Sequence, residues 1–165
     1  PHLTEDEIKA MFLKAYNELM GNREQVIVDC RLMLDMLSDH SKLDAQIAKV
    51  NEEIALVSGL VSTCVHENAQ KAQDQEAYSS KYNSLVNRHQ KAIAQLEKLK
   101  AACADQVNRE RELRGYIDSL TISPLVLDTW DERLWRLLVV KGIVGREGSI
   151  EFEFRNSKKM RLEVE

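Results

Sequence analysis

Residues 43–64 read LDAQIAKVNEEIALVSGLVSTC, and the spacing of their apolar side chains decides the fold. Leu43, Ile47, Val50, Ile54, Val57, Val61 and Cys64 follow one another at intervals of 4-3-4-3-4-3, a heptad seam on one side of a helix. Lys49, Asn51, Glu52 and Glu53 fill the positions between. A stripe this narrow calls for a single partner helix and not for a broad core. The rhythm dissolves over Glu67-Asn68-Ala69-Gln70-Lys71-Ala72-Gln73, where Asp74 can cap a new helix, and returns at Tyr78, Tyr82, Leu85, His89, Ala92, Leu96, Leu99 and Cys103. Two seams of matched length around a polar break are satisfied by folding back on each other. The expectation is an antiparallel coiled-coil hairpin with arms on the order of 40 Å, at ~1.5 Å per residue. Ile54 should then face Ala92 or Leu96, and Val61 should face Leu85. The rival is one continuous rod that dimerises in parallel, since neither Gly nor Pro marks the fold-back. Beyond Cys103 the pattern is expected to slip in phase before resuming at Leu113, Ile117 and Leu120.

Outward from the hairpin the grammar changes. On the N-terminal side Thr4-Glu5-Asp6-Glu7 forms a capping box, followed by Ile8, Met11, Phe12, Ala15 and Leu19 on one helical face and by Gly21-Asn22 as a stop. A second helix over about 23–37 carries Val26, Cys30, Met33 and Leu37, with Ile27 and Leu34 beside them. Ser41 is the expected N-cap of the first coiled-coil arm. On the C-terminal side Thr121-Ile122-Ser123-Pro124 is a connector. A short helix starting near Thr129 or Asp131 then carries Trp130, Leu134, Trp135, Leu137 and Leu138. From Ile143 the period becomes two: Ile150, Phe152 and Phe154 alternate with Glu151, Glu153 and Arg155, and Met160, Leu162 and Val164 alternate after a turn at Asn156-Ser157. Three strands this short are marginal alone, so their apolar face should rest on the tryptophan helix or on sequence outside this stretch. The fold class is therefore mostly α: a helical pair (1–40), an antiparallel coiled-coil hairpin (41–120), then a short helix with a small β meander (121–165).

Composition narrows the function. Aromatic residues make up 5 % of the 165 and charged residues 30 %, which suits long amphipathic helices. A net charge of −4 argues against electrostatic binding of nucleic acid over the whole surface. No apolar run is long enough to span a membrane and no signal-peptide pattern opens the sequence. The chain begins at Pro1 without an initiator Met, which reads as a piece of a longer protein. Cys30, Cys64 and Cys103 have no CxxC spacing and lie among apolar helical positions, as reduced thiols of a cytoplasmic protein do. His2, His40, His66 and His89 are scattered, and Cys64-Val65-His66 lacks the further ligands a zinc ion needs. No phosphate-binding glycine loop, nucleophile elbow or paired-carboxylate signature is present, so this stretch is expected to hold no catalytic residue, metal or cofactor of its own.

Two groups of residues remain as candidate contact surfaces. Lys141, Arg146, Arg155, Lys158, Lys159 and Arg161 cluster around the meander and can touch phosphates, against Glu147, Glu151 and Glu153 in the same stretch. Lysines at exposed strand edges also serve simply to block aggregation. The second group is the polar break between the seams, with Asn68, Ala69, Gln70, Ala72, Gln73 and Gln75. These side chains pack and hydrogen-bond at little desolvation cost, which suits a weak contact with another copy of the protein.

HLTEDEIKAMF at the start, the coiled-coil insertion, LDTWDERLWRLLVVKGIV and REGSIEFEFRNSKKMRLEV together resemble the C-terminal region of the large serine recombinases, which include phage serine integrases and conjugative-transposon recombinases. Trp135-Arg136-Leu137-Leu138-Val139 and Gly148-Ser149-Ile150-Glu151-Phe152-Glu153-Phe154 carry the likeness. Asn156-Ser157 departs from it where the family usually has a glycine, as does Lys158-Lys159-Met160. The resemblance implies a parent enzyme whose serine nucleophile and zinc-ribbon cysteines precede Pro1, so no catalytic or metal-binding residue carries over. It also implies that the coiled coil mediates subunit contacts in the pairing of DNA sites through its tip, about 66–77, and that DNA is bound through the parent protein. A coiled-coil scaffold or adaptor with no DNA role is the alternative.

Overall fold

The computed structural model describes residues 3–72 and 74–163, and among these the chain is mostly α-helical with one small antiparallel sheet. The helices are α1 (Glu5–Gly21), α2 (Arg23–Leu37), α3 (Ser41–Gln70), α4 (Gln75–Ile122) and α5 (Glu132–Leu138). The strands are β1 (Val139–Val144), β2 (Ser149–Phe154) and β3 (Lys159–Glu163), with a 3-10 turn (Arg146–Gly148) between the first two. Packing divides the chain into two units, 39–107 and 1–38 with 108–165. The helical pair expected as a region of its own thus shares a unit with the C-terminal strands, and α4 contributes to both.

The unit 39–107 is a helical hairpin, with α3 and the first part of α4 as arms and the fold-back between the end of α3 and the start of α4. Cross-arm pairs set an antiparallel register. The Gln75 amide donates to Asn68 Oδ1 at 3.3 Å near the tip, Lys81 lies 3.7 Å from Glu67, Arg88 clasps Glu53, and Gln106 Nε2 donates to Asp39 O at 3.2 Å where the arms begin. This is the register that sets Ile54 in the neighbourhood of Ala92. The expected seam residues of both arms are buried or half-buried, while nearly all residues between them are exposed. The expected phase slip is absent. From Tyr78 to Leu120 the 4-3 spacing runs on through Gln106 and Glu110, both half-covered, so the interruption is one of polarity and not of phase. A second correction concerns the start of α3. Ser41 is the first helical residue, and Asp39 Oδ1 accepts its backbone N–H at 3.1 Å. Asp74 caps α4, accepting from Glu76 N at 2.9 Å.

The other unit is built on α1. Thr4 caps it through the expected capping box, and its buried face (Met11, Phe12, Ala15, Tyr16, Leu19, Met20) is the centre of the core. Leu113, Tyr116, Ile117 and Leu120 of α4 close one side, with Val26 and Cys30 of α2, while Met33 stays 36 % exposed and Leu34 packs against the core. The sheet, in the order β1-β2-β3, covers α1 with Ile150, Phe152, Phe154 and Met160. The meander therefore rests on the N-terminal helix as well as on the tryptophans. Phe12 is the hub, with ring centroids 5.3 Å from Trp130, 5.2 Å from Trp135 and 6.3 Å from Phe152.

The connector between α4 and α5 is tied to α1 by hydrogen bonds instead of by secondary structure. The Asn17 side chain donates to Leu127 O at 3.0 Å and accepts from Leu127 N at 2.8 Å, and the Tyr16 hydroxyl donates to Pro124 O. Asp131 Oδ1 then caps α5 through the N–H groups of Arg133 (2.8 Å) and Leu134 (3.1 Å). The two hairpin turns of the sheet each hold one left-handed residue, Gly148 (φ 75°) and Ser157 (φ 63°). A serine in that region is uncommon. The turn is held by Asn156 Oδ1, which accepts from Lys158 N at 3.1 Å, and by Ser157 N, which donates to Phe154 O at 2.8 Å.

Candidate functional site

The tip of the hairpin is built by two helix ends. α3 stops at Gln70 and α4 is restarted at Gln75 by the Asp74 cap, so the reversal falls between these two helix ends. Ala69, Gln70, Ala72 and Gln75 are exposed, Asn68 is half-covered beneath the Gln75 amide, and Gln73 lies outside the described residues. Small and amide side chains thus line the end of the hairpin. Just below, the Tyr78 and Tyr82 rings stack with centroids 5.9 Å apart, which stiffens the base of the reversal. The ion pair of Glu67 with Lys81 braces the same end, and that of Glu53 with Arg88 ties the arms together near their middle. The Arg88 guanidinium, bonded to both oxygens of Glu53, holds that carboxyl below the usual range. The sequence reading missed these pairs, although the signal was there. Glu53, Lys81 and Arg88 each stand one position before a seam residue, Glu67 stands one before Asn68 where the 4-3 spacing would next fall, and in an antiparallel pair those flanks face each other.

The six basic candidates fall into three places. Lys141, Lys159 and Arg161 come together on the outer face of the sheet, where Lys141 pairs in register with Glu153, Glu153 with Lys159, and Glu151 with Arg161. There they interleave with carboxylates: Lys141 Nζ lies 3.2 Å from Glu153, Lys159 Nζ 3.5 Å from Glu151, and Arg161 Nε 3.9 Å from Glu163. Arg146 sits on the β1–β2 turn. Arg155, whose guanidinium donates to Arg136 O at 2.9 Å, and Lys158 sit by the β2–β3 turn at the other end of the sheet. The face is a cross-strand ion-pair lattice of both signs, a form that exposed strands use for pairing and solubility.

Elsewhere the chemistry is muted. Among the described residues no group of three His, Cys, Asp or Glu side chains converges to hold a metal ion. All three cysteines are free thiols, and burial pushes the Cys30 thiol up against a smaller opposing contact from Asn156. A thiol so placed is a poor nucleophile. Among the described residues no helix is long and apolar enough to cross a membrane. Compared with protein-family models, with curated proteins and with solved structures, the chain finds no match.

Proposed function

We propose that this chain is the coiled-coil and C-terminal module of a site-specific DNA recombinase of the serine type, acting by protein–protein contact in the pairing of DNA sites. The contact is made with other copies of the protein through Asn68, Ala69, Gln70, Ala72 and Gln75 at the hairpin tip. DNA is held chiefly by the rest of the parent protein, zinc belongs to a preceding region, and the setting is the cytoplasm, with no membrane partner. The observation that carries this reading is the hairpin itself: an antiparallel coiled coil, braced by ion pairs, that presents a small, polar, exposed end. Such an end buries far less than a standard interface of roughly 1,600 Å², which suits a contact that forms in one complex and is absent from another. A scaffold without a DNA role is the second reading, and the ion-paired state of Lys141, Lys159 and Arg161 favours it. The test replaces Ala69 and Ala72 by Glu in the full-length protein. Loss of pairing between two DNA sites, with folding and single-site binding retained, is the expected result. Undiminished pairing would reduce the tip to a turn.

A further inference from the structure

The connector between α4 and α5 is fixed in place and yet leaves apolar side chains in the open. The Tyr16 hydroxyl holds Pro124 O, and the Asn17 side chain bonds both the N–H and the C=O of Leu127. Leu127 is buried, whereas Leu125 is 56 % exposed and Val126 69 %, with Ile122 at 76 % just before them. Asp128 follows, exposed and with no hydrogen-bond or ion-pair partner among the described residues. A segment pinned in this way has little freedom left to lose on binding, so its exposed side chains are ready-made anchors.

The same unit holds a groove of the opposite charge. Met33 and Met36 of α2, Leu113 of α4 and the β2–β3 turn border a space of about 410 Å³. Methionine side chains adapt to the shape of what they meet. Arg155 stands on the rim, steadied by its bond to Arg136 O at 2.9 Å, and no carboxylate pairs with it among the described residues. Arg109 and Glu112 share that rim, so two guanidinium groups against one carboxylate leave a single positive charge in excess.

We propose that this groove takes the connector of a second copy of the chain. Leu125 and Val126 lie against Met33, Met36 and Leu113, and Asp128 meets the Arg155 guanidinium. Complementarity identifies the occupant: each surface is apolar, each carries one charge without a counter-charge, and the two charges are opposite. Nucleic acid would satisfy Arg155 but offer nothing to the methionines, and a wholly apolar partner would leave Arg155 unmatched. A charge beside an apolar contact selects the partner and its orientation more than it adds affinity. Groove and connector are different surfaces, so a copy that gives its connector keeps its own groove for another. The contact is small and therefore weak, and it is independent of the hairpin tip.

The experiment uses the whole chain carrying Ala69→Glu and Ala72→Glu, which removes association through the tip, and reads mean mass by sedimentation at rising protein concentration. The expected result is a mass that climbs with concentration. Asp128→Arg alone and Arg155→Asp alone should each hold the chain at monomer mass. Mixed in equal amounts the two variants should associate again, because each connector then meets a groove of opposite charge. Near-ultraviolet circular dichroism from the tryptophans reports whether each variant keeps its core. Met36→Asp, at a side chain 78 % exposed, replaces Arg155→Asp in the same mixture should the latter disturb the β2–β3 turn. A chain that stays monomeric at millimolar concentration overturns the proposal. So does association that survives either single change, or a mixture that stays monomeric.

Discussion

The hairpin and the α1-centred unit are made from the same helix, α4, by opposite means. In 39–107 the seam residues have one neighbour helix, so most remain half-covered, and of them Val57, Cys64, Ala92, Leu96 and Leu99 are buried. In the other unit the same heptad positions, Leu113, Ile117 and Leu120, are enclosed by α1, the connector and the neighbouring side chains of the core. A seam repeats its contacts along its length, so a local loss stays local. A core that gathers Phe12, Trp130, Trp135 and Phe152 around one point concentrates its energy there. What separates the two regions is thus the number of layers around the helix and not its sequence pattern.

The largest expected effect follows from that concentration. Phe12→Ala should cost about 3–5 kcal/mol, the range for deleting a buried aromatic ring. Both tryptophans, Trp130 and Trp135, lie in the same unit as Phe12, so their fluorescence reports it alone. Their thermal transition should fall steeply while much of the helical far-ultraviolet signal persists. A simultaneous collapse of both signals would break the comparison and make the two regions one cooperative body.

A smaller effect distinguishes two tyrosines of the core. Tyr16 donates its hydroxyl to Pro124 O, whereas the buried Tyr116 hydroxyl has no hydrogen-bond partner among the described residues. Tyr16→Phe should cost about 1 kcal/mol, and Tyr116→Phe should be neutral or slightly stabilising. Burial pushes both phenols up. The unfolded chain ionises near pH 10 while the folded one resists, so stability is intact below that pH and declines as pH rises above it. Tyr116→Phe should flatten that alkaline decline in denaturant titrations, and an unchanged slope would contradict the burial argument.

The smallest effect belongs to the hairpin surface. Glu53→Gln removes the partner of Arg88, yet Arg88 is exposed, Glu53 only half-covered, and the pair is screened by salt. A slight drop in the melting temperature at low ionic strength, vanishing at high, is the expected result. Because Arg88 holds the Glu53 carboxyl low, its contribution is present above the ordinary carboxylate range and disappears as pH falls through the lowered value. A large, salt-independent loss would mean that the pair does more than brace the arms.

Legibility in the sequence followed the same divide. The seams, the Thr4 and Asp74 caps and the alternation of Ile150, Phe152 and Phe154 are written in neighbours a few residues apart, and each was readable, while the start of α5 was narrowed only to Thr129 or Asp131. The slip expected near Gln106 was a misreading of polar residues on heptad positions, for burial pattern and phase agree straight through. The seating of the sheet on α1 was not readable, because Phe12 and Phe152 meet from opposite ends of the chain. Nor was the clamp of Asn17 on Leu127, since a lone helical asparagine gives no sign of a partner so far away. Of the candidate site, the polar tip was visible as a gap in periodicity. The pairing of the basic residues with Glu151, Glu153 and Glu163 depended on strand register, which the alternation alone leaves open.

The hydrogen bond from Gln106 to the carbonyl of Asp39 has a consequence for how such a molecule can change over time. It holds the entry and exit of the hairpin side by side, so the whole excursion is a cassette that departs and returns at one doorway. Seven residues added to each arm would carry the tip about 10 Å farther and leave its facing unchanged, at ~1.5 Å and ~100° per residue. An increment far from a whole number of turns would swing it round. Reach and aim can therefore drift in steps without the core of the other unit being consulted.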